Sequence, residues 1–125
     1  MIAITREPDI KKLREICAEE GVEYSENTLA FTAKDKEECY GYSLFLTGDK
    51  LHIISVKTPD VLWNSIGDGL FRATLNYAVE KEICSASIEK NLLEKLKGGI
   101  IPHEKASETI EDCEAFLQDI KKCGR

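Results

Sequence analysis

One stretch constrains this chain more than any other: LHIISV at 51–56, the loop PDVLWNSIGDG at 59–69, and the apolar helix pattern that follows. The first run is rich in β-branched residues and reads as a strand. From Gly67 to Glu82, Leu70, Phe71, Thr74, Leu75, Tyr77, Ala78 and Val79 recur at helical spacing. They cover a face wide enough to lie on a sheet. ICSASI at 83–88 is a short apolar strand directly afterwards. Strand, helix and strand in this order predict a parallel crossover. Gly67 and Gly69 stand where the helix begins. A glycine turn between a strand and a helix N-terminus is where proteins often cradle phosphates on backbone N–H groups.

The flanking sequence completes a mixed sheet. IAIT at 2–5 is a strand, and PDIKKLREICAEEG at 8–21 a helix. That helix has Pro8 in its first turn, Ile10, Leu13, Ile16 and Cys17 inward, and Gly21 as its stop. TLAFTA (28–33), CYGYSLFLT (39–47) and LHIISV form three successive antiparallel strands. Gly48 and Asp49 predict a two-residue hairpin between the last two, since glycine accepts the positive φ of such turns. NLLEKLKGG at 91–99 is a brief helix ending in glycines. A last helix is expected over about 109–123, opened by a Thr109–Asp112 capping box. Its stripe is Ile110, Cys113, Phe116, Leu117 and Ile120, with Lys121 and Lys122 in the last turn and Gly124 after it. The order is β-α-β-β-β-α-β-α-α, an α/β (α+β) mixed sheet with helices on both faces, in one domain over 1–125.

Composition narrows the function. With 125 residues and 42% hydrophobic content, the chain suits one folded domain. Its net charge of −6, with basic residues scattered, argues against a nucleic-acid partner. No apolar run is long enough to span a bilayer, and the N-terminus turns polar too early for a signal peptide, so no membrane contact and a cytoplasmic address are expected. The five cysteines, Cys17, Cys39, Cys84, Cys113 and Cys123, form no C-x-x-C pair, which points to reduced thiols and no metal. Cys123, in the tail, is expected to be the most exposed of them.

Val56, Pro59 and Asp60, then Gly67, then Leu70, Phe71, Arg72 and Ala73 fall in step with a known pattern. Through them the chain resembles the GNAT superfamily of acyl-CoA-dependent N-acetyltransferases, from the first strand to the short helix near residue 97. The resemblance implies a GNAT-like sheet and a CoA pyrophosphate site at Val56, Ser65, Ile66, Gly67, Asp68 and Gly69. In this register Ser65 replaces a family glycine, and Leu62 the basic Arg or Gln. A second register sets Asn64, Gly67 and Gly69 on the basic residue and the two glycines. It fits the loop better and the helix worse. Asp68 adds a carboxylate where phosphates would lie.

The resemblance implies a Tyr on the short helix as general acid, but Leu93, or Gly98 in another alignment, stands there. Its frequent strand Glu is missing from SLFLTGDKLHIISV, which leaves His52 as the candidate base, histidine being a residue type suited to proton transfer. The family's two closing strands are also replaced by the last helix. The expected function is transfer of an acetyl or acyl group from acetyl-CoA or another acyl-CoA to a small-molecule or protein amine. The alternative is a non-catalytic domain of this fold that binds an acyl-CoA or another protein. A homodimer is compatible with either.

Overall fold

The computed structural model describes residues 1–120 in full and the backbone of 121–123. The expected roles of Lys121, Lys122, Cys123 and Gly124 lie outside the described residues. Six strands form one sheet in the order β1 (Ala3–Arg6), β2 (Thr28–Asp35), β3 (Glu38–Leu46), β4 (Leu51–Lys57), β5 (Ala86–Ile88) and β6 (Thr109–Ile110). All neighbours are antiparallel except β4 and β5. Helix α1 is Ile10–Glu20, α2 Asp68–Glu80, α3 Lys90–Leu96 and α4 Cys113–Cys123.

The crossover forms as its pattern predicts. Leu70, Phe71, Leu75 and Ala78 of α2 are wholly buried on Phe45, Leu51 and Ile53 of the sheet. Helix α4 joins the same layer through Cys113, Leu117 and Ile120. On the opposite face, α1 places Leu13, Ile16 and Cys17 against Ala30, Tyr42 and Leu44. Asp9 caps α1 by accepting from the Lys11 N–H at 3.0 Å, so Pro8 precedes the cap and is not in the first turn. Gly21 ends the helix at φ 69°, a left-handed position that suits glycine.

Three expectations are corrected. Thr109 and Ile110 form β6, paired with Ala86 and Ser87, so α4 begins only at Cys113. Its cap is Asp112, which accepts from the Ala115 N–H at 3.1 Å. Ile110 is still buried, but as a strand residue, and Phe116 is only partly so. The β3–β4 connection is Thr47–Lys50, closed by the Leu46–His52 pair, and Gly48 has no positive φ. Finally, 83–85 stay outside β5, which begins at Ala86.

Glu7, at the end of β1, is nearly inaccessible yet ionised. Burial works to raise its carboxyl, but Lys34, the Asp9 N–H and the Thr32 hydroxyl together hold it below the usual carboxylate range. Lys34 Nζ lies 2.7 Å away. This network fixes the start of α1 to β1 and β2.

Candidate functional site

Strand β4 is paired with β5 only at Leu51, His52 and Ile53. It continues to Lys57 with no strand beside it on that side among the described residues, because β5 stops at Ile88 and the chain turns into α3. The divergence has a local cause. Leu44 of β3 faces Ser55, while the next residue, Phe45, faces Ile53. Ile54 is therefore an extra residue, a β-bulge, and bulges bend and twist the strand that carries them. The Glu89 N–H bonds to the Ile53 carbonyl at 3.0 Å and closes the fork at its base.

The fork opens into a cleft of about 320 Å³. Ile54, Ser55 and Val56 form its strand wall. Glu89 stands at its base, and Asn91, Leu92 and Lys95 come from α3. Glu20, from the end of α1, reaches the same space. A larger hollow of about 490 Å³ adjoins it along α1, bordered by Lys12, Glu15, Glu19, Tyr40, Tyr42 and Lys57. The Tyr42 hydroxyl bonds to Glu20 and stands between the two spaces. A hydrogen bond from Lys57 at 2.6 Å, then one from Tyr42, lowers the Glu19 carboxyl below its ordinary range. Burial, with Glu20 and Glu19 beside it, pushes the Tyr42 phenol well above its ordinary value.

His52 occupies the open half of the α1 face, where Leu46, His52, Ser87 and Thr109 lie side by side across β3 to β6. Its Nδ1 is 2.6 Å from Ser87 Oγ, and its Nε2 is 2.6 Å from Glu89 Oε2. The imidazole is thus held at both nitrogens, and Glu89 links it to the cleft. Sequence reasoning singled out His52 and missed Glu89. The available signal was a carboxylate at the end of the strand that pairs with the histidine.

The residues expected at the phosphate turn are wound more tightly than a loop. Asp60–Leu62 is a 3-10 turn, Trp63–Gly67 a π-helical turn, and α2 follows without a break. Gly67 has helical φ and ψ of −60° and −44°. A Cβ there would lie 2.9 Å from the Trp63 ring, so the glycine makes room for the indole. At Gly69 a Cβ would lie 2.6 Å from Ile4, so that glycine lets α2 press on β1. The Asp68 N–H already serves the Ser65 and Trp63 carbonyls. The Asp68 carboxylate takes Arg72 Nε at 2.9 Å on both oxygens, and Ser65 Oγ donates to the Leu62 carbonyl. Ile66 packs on the core, and Val56 is buried at the cleft wall. Lys95 Nζ sits 4.9 Å over the Trp63 ring and brings a cation from α3 to this side of the cleft. Leu93 is buried in the core, and α3 offers no tyrosine.

Among the described residues there is no cluster of three metal-ligating side chains, and no helix is long and apolar enough to cross a membrane. Cys17 and Cys113 are buried free thiols, and Cys39 and Cys84 exposed ones.

No protein-family model and no curated protein matches the sequence. Solved structures do match the fold. An acetyltransferase-class protein of Exiguobacterium sp. 255-15 aligns over 95% of this chain and 98% of its own, at TM-score 0.57 and 15% identity. The IAA acetyltransferase of Bacillus cereus ATCC 14579 aligns over 70% of this chain, at TM-score 0.52 and 20% identity, and the match spans 65% of that protein's length. Escherichia coli YhhK, an N-acetyltransferase-class protein solved with coenzyme A, aligns over 72% of this chain and 77% of its own, at TM-score 0.51 and 11% identity. At such identities the likeness is one of architecture: the chain has the fold of the GNAT acetyltransferases.

Proposed function

We propose that the chain binds an acyl-CoA in the cleft between β4 and β5 and transfers the acyl group to an amine. The observation that carries this reading is the fork at the Ile54 bulge, which leaves a strand edge facing an open cleft. An extended amide chain such as the pantetheine arm can hydrogen-bond to such an edge. Two groups at the rim suit the rest of the ligand. Lys95 supplies positive charge toward a phosphate, and Trp63 an aromatic face. The acidic side chains Glu15, Glu19 and Glu20 toward α1 suit a cationic amine approaching from that side. The thioester supplies an activated carbonyl carbon, which the amine nitrogen attacks as the C–S bond breaks.

A second reading has its own support. The lack of a tyrosine on α3 favours a binding domain without turnover. A thermal melt separates the alternatives from loss of the site. A ligand at one hundred times its dissociation constant adds about 2.7 kcal/mol, which in a domain of this size raises the melting temperature by about 10 °C. Millimolar acetyl-CoA is expected to give such a rise and Lys95→Glu to reduce it. A rise without CoA release in the presence of amines supports the binding domain. No rise in either protein refutes the site.

A further inference from the structure

We propose that Glu89 is the proton acceptor of the cleft and that His52 is its positioning residue, an inference that rests on the acyl-transfer reading. Glu89 is the first residue beyond β5, and its N–H is tied to Ile53 where the strands part. Its carboxylate borders the cleft and is 52% exposed. One oxygen, Oε2, is bonded to His52 Nε2. The other makes no hydrogen bond among the described residues and is free for a bound ligand. His52 lies outside the cleft lining, and both its nitrogens are engaged, so it is not the group that meets substrate.

The bonding pattern sets the roles. When the Ser87 hydroxyl donates to Nδ1, Nε2 carries the hydrogen and donates to Glu89. The imidazole then aims the carboxylate and leaves one oxygen open, as a partner behind a catalytic group does. An ammonium substrate passes a proton to Oε1. The freed lone pair forms the C–N bond to the thioester carbonyl carbon. The C–S bond breaks with its electron pair on sulfur, the nitrogen sheds its second proton as the amide forms, and the thiolate takes up that proton. Glu89 returns its proton to solvent at the cleft mouth. The other charged groups around it are Lys95 of α3 and Glu20 of α1, both bordering the same cleft, and Lys90 beside it in the chain. The Ile88 N–H is bonded to the Glu108 carbonyl, which seats the end of β5 from the other side.

The test follows CoA release by chromatography at pH 7 with acetyl-CoA and four amines: spermidine, tryptamine, benzylamine and a lysine-containing peptide. Hydroxylamine, already neutral at this pH, is the control nucleophile. Glu89→Gln is expected to lower kcat with the cationic amines by about 100-fold or more. The KM for acetyl-CoA should not change, and the rate with hydroxylamine, corrected for the uncatalysed reaction, should be kept. Formate should restore part of the activity of Glu89→Ala. His52→Phe should lose about tenfold in kcat, and His52→Gln, which keeps an N–H donor, should recover most of it. Equal losses with hydroxylamine, absence of formate rescue, or unchanged kcat overturns the role of Glu89 while leaving acyl transfer standing. A wild-type protein that releases no CoA with any of these nucleophiles overturns both.

Discussion

Replacing Glu7 by Gln should weaken the fold in a way that depends on pH. The Glu7 side chain is 2% exposed and Lys34 35% exposed, with 2.7 Å between their charged atoms. Thr32 Oγ1 donates to Oε1 at 3.0 Å, and the Asp9 N–H to Oε2 at 3.2 Å. An amide keeps one acceptor oxygen for these donors and turns an NH2 group toward the rest. Losing one partner of a fully buried ion pair costs about 3–5 kcal/mol. Lys34 can rehydrate here, so about 2 kcal/mol is the better figure, equivalent to about 8 °C in melting temperature. The sign with pH follows from the lowered folded-state value. Glu7 contributes its full stabilisation above the unfolded carboxyl value of 4.5 and loses it as pH falls through the lower folded one. Glutamine does not titrate. Urea unfolding of both proteins at pH 7 and near pH 3 should therefore show a gap that narrows in acid. A gap of the same size at both pH values would refute an ionised Glu7 held by Lys34.

Leu117→Ala empties a 4%-exposed position where α4 meets α2, and should cost about 3 kcal/mol in a chemical melt. In a Cys123→Ser background, a thiol reagent should label Cys39 and Cys84 quickly and the two buried thiols only on unfolding, as read by mass spectrometry. Burial, then Asp112 and Cys84, pushes Cys113 up to about 11, so it should be the slowest even in mild denaturant. Gly67→Val sets carbon against the Trp63 ring, so the emission of the chain's single tryptophan should move to the red and the melting temperature should fall.

The crossover was legible because α2 repeats apolar residues over a face wide enough to lie on a sheet. What escaped the sequence escaped for physical reasons. Two residues, Thr109 and Ile110, are too few to show alternation, so β6 was absorbed into the helix after it. The bulge at Ile54 leaves no mark within LHIISV, since a register is a property of two strands and not of one. Gly67 suggested backbone freedom, whereas its φ and ψ are helical and a Cβ there would meet the Trp63 ring. Glu89 looks like any acid before a helix until the parallel register sets Ser87 against His52, 35 residues away.

The forked sheet also bears on where a second strand could join it. An unpaired strand edge is a template for other strands, and flat outer edges invite association. At the rim, β1 has four residues and β6 two, so there is little outer edge to copy. The longer unpaired run, Ile54–Lys57, lies in the middle of the sheet, with α3 beside it and Glu20 across the gap. Enclosed in this way, the run is not an outer edge for another strand to extend. It leaves the backbone's free valence to molecules thin enough to enter.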